Sequence, residues 1–347
     1  MNKKVIEAYA ATRKGVIEKI TLPFPEINEY EALVENEGCV FCNTTDKMVI
    51  ENLFATPDYP VLFGHESFGK IIAVGSRVKK YKVGDRVICS NAVVKGYNGT
   101  YYSTWGGFAT HGVVGDLEAY LGDGGKLDAR NAYRGRYAAN QIIPADFSVE
   151  KAALVFPLAE TAGAIRQAGN LQRKRIVVIG TGVVGYFFTY FAKIFGADEV
   201  ICLGRRQSRV DVALQCGADK GFTDTDSISE YLRKSGGADI VFECSGNWQV
   251  FENGLPYLRE GGMLAVYAVP HQPYTMHLRG FPENFVCKRI SPDVKGALDT
   301  VCTLLREDKI QTDLFLTHKW DFDCVPEAYE AVKRGDVIKG LVIIKNR

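Results

Sequence analysis

Arg175-Ile-Val-Val-Ile-Gly-Thr-Gly-Val-Val-Gly185 joins a run of β-branched residues to three glycines spaced G-x-G-x-x-G. The run is typical of a buried strand, and the apolar residues Tyr186 to Phe195 indicate a helix after it. A second strand is predicted at Glu199 to Leu203. Such glycines allow a tight turn and close approach of a pyrophosphate to the helix N-terminus. The unit therefore predicts a dinucleotide site at Gly180, Thr181, Gly182, Val183, Val184 and Gly185.

The residues after the second strand indicate which dinucleotide binds. An acidic side chain there, about 20 residues beyond the glycines, would hold the ribose 2′-hydroxyl of NAD. This chain has Gly204 instead, followed by Arg205, Arg206 and, further on, Arg209. Guanidinium groups can clamp a 2′-phosphate through paired hydrogen bonds, and no carboxylate opposes it. The sequence predicts NADP(H).

Composition narrows the class of protein. The chain has 347 residues, enough for two domains with cores of their own. Its formal net charge is +1 without blocks of like charge, so neither nucleic acid nor a membrane is expected as a partner. There is no apolar run of about 18 residues and no signal-peptide pattern. Nine scattered cysteines suit a reducing compartment. We expect a soluble, cytoplasmic protein with a small-molecule substrate.

The arrangement of elements predicts an α/β fold with two domains. Short strands are expected at Lys4 to Tyr9, Gly15 to Thr21 and Tyr30 to Glu37. Glycines beside alternating apolar residues, from Gly64 to Gly75, indicate a tightly curved sheet. After Pro144, strands alternate with helices, which implies a parallel, doubly wound sheet.

Several motifs together resemble the zinc-dependent alcohol dehydrogenases of the medium-chain dehydrogenase/reductase superfamily. Besides the cofactor loop, they are Gly38-Cys39-Val40-Phe41-Cys42, Gly64-His65-Glu66, Val83-Gly84-Asp85-Arg86-Val87 and Asp336-Val337-Ile338-Lys339-Gly340-Leu341-Val342-Ile343. The resemblance covers nearly the whole chain. It implies a GroES-like β-barrel catalytic domain over 1–150, a Rossmann NADP-binding domain over 151–287 and a return to the catalytic domain over 288–347. Gly204-Arg205-Arg206 is similar to the loop of NADP-dependent bacterial secondary-alcohol dehydrogenases.

The resemblance implies one catalytic zinc. Cys42 and His65 match the first two ligands of the family, and Glu66 matches a carboxylate that orients the histidine or coordinates the metal. The third ligand is expected where this chain has Phe156 or, in another alignment, Leu158, and neither side chain can bind zinc. Glu160, one helical turn after Phe156, is an alternative ligand. Without a metal, Cys42 and His65 are ordinary buried residues.

Two further features depart from the family pattern. Relatives read Cys-x-Ser/Thr-Asp, with the hydroxyl passing the substrate proton to solvent. Here Thr44 keeps that hydroxyl, and Thr45 stands where the aspartate is usual. Thr44 is therefore either a proton relay or an ordinary turn threonine. The structural zinc of many relatives needs four cysteines in the loop after Val87, where only Cys89 is present, so no structural zinc is expected.

The segment 108–142 is longer than in the family, because Asp116 to Arg136 extends what should be a short connection. Long loops within compact domains are usually functional or disordered. The segment is interpreted as either a substrate-covering lid or a subunit contact.

The remaining expectations follow from the resemblance. Ser245, Val269 and Thr161 border the nicotinamide, and Lys339 approaches the phosphates. Phe285 to Ile290 resembles the edge strand through which such Rossmann domains pair, which implies a homodimer or homotetramer.

Three functions remain open at this level. The first is a zinc-assisted, NADP(H)-dependent dehydrogenase acting on a secondary alcohol, polyol or sugar hydroxyl. The second is a metal-free NADPH-dependent reductase of a quinone or enone from the same superfamily, and the third is a non-catalytic NADP(H)-binding protein.

Overall fold

The structure is a computed structural model of the chain. It describes residues 5–53, 59–92, 102–103, 105–126, 139–247, 257–268 and 280–344. The chain forms two compact units, Met1–Pro157 with Leu298–Arg347, and Leu158–Ala297. The predicted domain boundaries were 150 and 287.

The first unit is built mainly from strands. They are β1 (Val5–Arg13), β2 (Val16–Pro23), β3 (Glu31–Val40), β4 (Val61–Leu62), β5 (Glu66–Val74), β6 (Arg86–Ile88), β7 (Tyr102–Ser103), β8 (His111–Gly115), β9 (Ile142–Ile143), β16 (Leu316–Asp321) and β17 (Lys339–Ile343). Within the described ranges, one sheet has the order β2-β1-β4-β7, and a larger one has the order β16-β17-β3-β5-β6-β9, with β8 also paired to β3. The three predicted N-terminal strands are confirmed.

The pairing of the larger sheet is irregular along β5, where the glycine pattern predicted curvature. β3 and β5 pair antiparallel, and their register shifts between Leu33 and Val34 and again between Asn36 and Gly38. Such bulges bend a strand and increase its twist. A core of interlocking aromatic residues that includes Phe41, Phe63 and Phe108 packs against this sheet.

Short helices from the N-terminal and C-terminal segments complete the first unit. They are α1 (Thr45–Ile50), α2 (Leu117–Gly122), α8 (Thr312–Phe315), a 3₁₀ turn (Phe322–Cys324) and α9 (Val325–Arg334). Helices α3 (Val149–Arg166) and α7 (Val294–Arg306) cross the boundaries at which the chain divides.

The second unit alternates strands and helices as the sequence predicted. Its elements are β10 (Arg175–Ile179), α4 (Val183–Ile194), β11 (Glu199–Leu203), α5 (Gln207–Gln215), β12 (Lys220–Phe222), α6 (Thr225–Ser235), β13 (Ala238–Glu243), β14 (Leu258–Val266) and β15 (Val286–Arg289). The described strands form one sheet in the order β12-β11-β10-β13-β14-β15, in which every pairing is parallel. Parallel strands need crossover helices on the sheet faces, and the central strands β10 and β11 are accordingly buried after their first residue. The predicted α/β fold class is confirmed.

Part of the long segment 108–142 is ordered around one carboxylate. Asp116 precedes α2 and accepts a hydrogen bond from the Ala119 N–H at 3.0 Å. Its other oxygen accepts the N–H groups of Lys79 and Lys80 at 2.8 Å. Asp116 therefore ties the segment to the loop before β6. Residues 127–138 lie outside the described part, and the lid and subunit-contact interpretations remain predictions.

No helix within the described ranges is both long enough and apolar enough to cross a membrane.

Candidate functional site

A potential metal centre lies at the junction of β3 and β5 in the first unit. Cys42 follows β3, while His65 and Glu66 stand at the start of β5. Val40 pairs with Glu66 in the ladder between these strands, so strand pairing brings the three residues together. The thiol, imidazole and carboxylate atoms lie within 4.8 Å of one another. His65 and Glu66 are buried, and Cys42 is half-buried.

Asp46 is a member of this site that the sequence interpretation missed. It is buried, and its Oδ2 accepts the Cys42 N–H at 2.9 Å while its Oδ1 accepts the Gly64 N–H at 3.1 Å. Oδ1 also lies 3.7 Å from Nδ1 of His65. The sequence placed Thr45 at the aspartate position of the family, but the chain supplies the carboxylate one residue later. The missed signal was one extra residue between the cysteine and the aspartate.

Asp46 accepts hydrogen bonds from the backbone N–H groups of both segments that carry the candidate ligands. Its carboxylate also places a negative charge next to His65. Burial alone would lower the pKa of His65, but the neighbouring Asp46 and Cys42 raise it well above its usual value. Asp46 is therefore a positioning residue for Cys42 and His65.

Aromatic rings enclose the imidazole of His65. The ring centroid of Trp105 lies 4.9 Å from that of His65, and the centroid of Phe156 lies 5.8 Å away in an edge-to-face arrangement. Phe156 occupies one of the two places where the family pattern puts a third ligand. Its ring packs on His65, so it contributes an apolar wall at this position.

Glu66 is engaged by Lys339 from the C-terminal strand β17. The ammonium nitrogen lies 2.6 Å from both carboxylate oxygens and 3.1 Å from the carbonyl oxygen of Phe41, which accepts a hydrogen bond from it. Lys339 was expected at the cofactor phosphates; in this structure its buried ammonium contacts Glu66. The expected roles of Lys339 at the cofactor phosphates and of Glu66 in orienting His65 or coordinating the metal remain predictions.

The donor set is suited to zinc. Zinc in catalytic sites takes three ligands from sulfur, nitrogen and oxygen donors and leaves one position open. Cys42, His65 and Glu66 supply one donor of each kind. Within the described part of the chain, Nδ1 of His65 is buried without a hydrogen-bond partner. Glu160 belongs to the second unit, and its role as a ligand remains a prediction.

Thr44 lies at the edge of this site. It precedes α1, its side chain is exposed, and it makes no capping hydrogen bond to the helix. Thr45, the next residue, is half-buried. The relay role of Thr44 remains a prediction.

The glycine loop of the second unit has the geometry of a phosphate cradle. Gly180 has a φ of +112°, and α4 begins at Val183 with Gly182 as its N-cap. A Cβ on Gly185 would collide with the carbonyl group of Gly180, whereas a Cβ on Gly182 would meet no atom of the described residues within 4 Å. The third glycine thus permits close packing, while the second faces open space beside the free N–H groups that begin a helix.

The predicted 2′-phosphate residues follow β11 directly beside that loop. The Gly180 N–H donates to the Leu203 carbonyl at 2.9 Å, which joins the two loops. A Cβ on Gly204 would stand 2.8 Å from the Cβ of Thr181. Arg205 and Arg206 are exposed, and Arg209 is half-buried on α5. At position 204 any side chain, including an acidic one, would clash with Thr181. The loop instead carries cationic groups at the residues that follow.

Among the other predicted cofactor residues, Ser245 follows β13, a neighbour of β10 in the same sheet. The Ser245 hydroxyl and the backbone N–H groups of Ser245 and Gly246 donate to Oε1 of Glu243, a buried residue that the sequence interpretation missed. Thr161 is buried in α3, and its hydroxyl donates to the Leu158 carbonyl at 3.0 Å. Val269 lies outside the described residues.

Comparison with known proteins agrees with both halves of this description. Residues 28–121 match the alcohol dehydrogenase GroES-like domain, and residues 183–291 match the zinc-binding dehydrogenase domain. The chain belongs to the zinc-dependent alcohol dehydrogenase-like family. The first family match contains Cys42, Asp46, His65 and Glu66, and the second begins at Val183 and contains the arginine loop.

Relatives within the zinc-dependent alcohol dehydrogenase-like family extend over the whole chain. Sorbitol dehydrogenase of Bombyx mori is 25% identical, with 98% of this chain and 99% of the relative covered. Sorbitol dehydrogenase of Halalkalibacterium halodurans is 29% identical over 82% of this chain and 83% of the relative. A zinc-binding dehydrogenase structure from Sinorhizobium meliloti 1021, bound to NADP, has a TM-score of 0.77 and 20% identity over 98% of this chain and 99% of that one.

Proposed function

We propose that this protein is an NADP(H)-dependent oxidoreductase that interconverts a secondary alcohol, polyol or sugar hydroxyl with its ketone, assisted by one zinc ion. The observation that carries the proposal is the presence in one chain of a Cys42–His65–Glu66 donor cluster and a dinucleotide loop followed by arginines. The sorbitol dehydrogenases among its relatives support an alcohol or polyol substrate.

The cofactor assignment rests on the edge between β10 and β11. Gly204 brings no negative charge, and the exposed guanidinium groups of Arg205 and Arg206 follow it. Paired, charge-assisted hydrogen bonds to a 2′-phosphate favour NADP(H) over NAD(H).

The metal assignment rests on the donor set and on what surrounds it. Zinc at such a site supplies Lewis-acid stabilisation of negative charge on the substrate oxygen. Cys42, His65 and Glu66 would hold the ion, with Asp46 positioning the first two. Trp105 and Phe156 pack on His65 and limit the water around it. Thr44 remains our candidate for carrying the hydroxyl proton to solvent.

A metal-free reductase of quinones or enones is the second candidate. Two observations favour it: Phe156 occupies an expected ligand position, and Lys339 engages both oxygens of Glu66. In that function the cysteine and histidine need no metal.

We further propose a homodimer or homotetramer in a reducing compartment such as the cytoplasm. β15 is the last of the described strands in its sheet, and each of its residues is exposed. A strand at the edge of a sheet can pair with the same strand of a second copy. All nine cysteines are free.

One assay separates the candidates. Secondary alcohols, polyols and sugars are tested with NADP⁺ and NAD⁺, and enones and quinones with NADPH, before and after removal of metal by a chelator. We expect alcohol oxidation with NADP⁺ that chelation abolishes and zinc restores. Turnover of enones or quinones alone, unchanged by chelation, would establish the metal-free reductase. Binding of NADPH without turnover of any compound would indicate a non-catalytic protein.

A further inference from the structure

The ion pair of Lys339 and Glu66 has no role in the proposed reaction. Nζ lies 2.6 Å from each carboxylate oxygen, and each side chain is only 2% exposed. The Phe41 carbonyl accepts a further hydrogen bond from the same ammonium. A buried charge needs a partner because water cannot solvate it. Lys339 is therefore the counter-ion of Glu66 in this structure.

The same carboxylate is the oxygen donor of the metal cluster. The ammonium group of Lys339 contacts both oxygens of Glu66, so it occupies the place that a metal ion bound by both oxygens would take. A divalent ion that binds Glu66 must displace Lys339 or share the carboxylate with it. Two cations on one buried carboxylate repel each other strongly because the surroundings screen charge poorly.

We propose that Lys339 sets the affinity of the site for a divalent metal by competing with it for Glu66. The inference rests on the proposed zinc site. Lys339 reaches Glu66 from β17, whereas the three donors follow or begin β3 and β5. The C-terminal strand thus supplies a charge that tunes a site built by the N-terminal half of the chain. Lys339 acts on the metal only indirectly, because its effect requires the carboxylate of Glu66.

The test is a titration of the metal-free, full-length protein with Co²⁺, followed by the absorption band that a Cys42 thiolate gives to bound cobalt. Lys339→Met removes the charge and keeps the length of the side chain. Lys339→Gln removes the charge but retains a neutral hydrogen bond to Glu66, and it serves if the methionine variant does not fold. Lys333→Met is the matched control, because Lys333 is 41% exposed and pairs with Glu51.

We expect Lys339→Met and Lys339→Gln to bind Co²⁺ at least about tenfold more tightly than the wild type, and Lys333→Met to bind as the wild type does. In a Glu66→Gln background the gain should disappear. Wild-type affinity in both Lys339 variants, or an undiminished gain with Glu66→Gln, overturns the inference and leaves the zinc site standing. Absence of the cobalt band in every protein overturns the zinc site and the inference together.

Discussion

Thr181 and Gly204 are packed so closely that a Cβ on residue 204 would stand 2.8 Å from the Cβ of Thr181. Rotation of the threonine side chain cannot relieve this overlap, since Cβ is attached to the backbone. The position that carries the NAD-binding carboxylate in other dinucleotide sites is therefore sterically closed here. We therefore expect the proposed preference for NADP(H) to depend on this pair as well as on the arginines.

The first prediction concerns that pair. Gly204→Asp should weaken binding of both NADPH and NADH, because overpacking of this size costs about 1–3 kcal/mol. Gly204→Ala, which adds the Cβ without charge, should show the steric part alone. Combining Gly204→Asp with Thr181→Gly should recover NADH binding and leave NADPH binding weak. Fluorescence titration of the four proteins measures this, and tight NADH binding by Gly204→Asp alone would contradict it.

The second prediction concerns the arginines. The double variant Arg205→Ala and Arg206→Ala should lose at least about tenfold in NADPH affinity, equivalent to about 1.4 kcal/mol, and little in NADH affinity. The matched control is Arg233→Ala with Lys234→Ala, which removes two exposed charges from α6. Isothermal titration of both cofactors provides the comparison. Equal losses for NADPH and NADH would show that these side chains do not contact a 2′-phosphate.

The third prediction concerns Asp46. An asparagine there has one acceptor oxygen in place of two, so either the Cys42 or the Gly64 N–H loses its partner. Asp46→Asn should lower the free energy of unfolding by about 1–3 kcal/mol. It should also weaken metal binding by about 10–100-fold, the usual effect of losing an outer partner of a ligand.

Urea denaturation and metal titration measure the two effects of Asp46→Asn. Asp85→Asn is the control, because Asp85 caps an exposed turn through the Lys82 N–H. If Asp46→Asn bound the metal as tightly as the wild type, Asp46 would have no part in positioning the metal ligands.

The fourth prediction concerns pH. Burial alone would raise the pKa of Asp116, but the N–H groups of Ala119, Lys79 and Lys80 outweigh it and hold the pKa below its usual value. A carboxyl whose pKa is lowered by folding stabilises the protein above its unfolded pKa, and this stabilisation disappears as the pH falls through the folded pKa. The stability difference between wild type and Asp116→Asn should therefore be largest near neutral pH and shrink below about pH 4. Urea denaturation from neutral to acid pH tests this, and a constant difference would refute it.

The fifth prediction concerns assembly. Light scattering after size-exclusion chromatography should give two or four times the subunit mass of 38.4 kDa. Val286→Lys, on the exposed edge strand β15, should shift the protein towards the monomer, because an edge charge opposes strand pairing. Val83→Lys changes an equally apolar residue that is 61% exposed in the first unit, and it should leave the mass unchanged. A monomeric wild type would exclude the proposed assembly.

Local patterns in the sequence were enough to predict the fold class and to name most of the candidate residues of both sites. β-branched runs, glycine spacing and apolar periodicity are local properties, and they predicted the parallel sheet, the turn at Gly180 and the strands of the first unit. The candidate metal donors Cys42, His65 and Glu66 were identified by resemblance. Strand pairing then brought them together, since Val40 lies opposite Glu66.

The contacts that those residues make could be read only from the folded chain. Asp46, at the start of α1, lies beside His65 and accepts the Gly64 N–H. Lys339 binds Glu66 although the two residues are 273 positions apart in the chain. Likewise, the contact that closes position 204 depends on how two loops meet at a sheet edge. Ion pairs and packing contacts between distant segments depend on the path of the folded backbone. The spacing of residues along the chain therefore does not predict them.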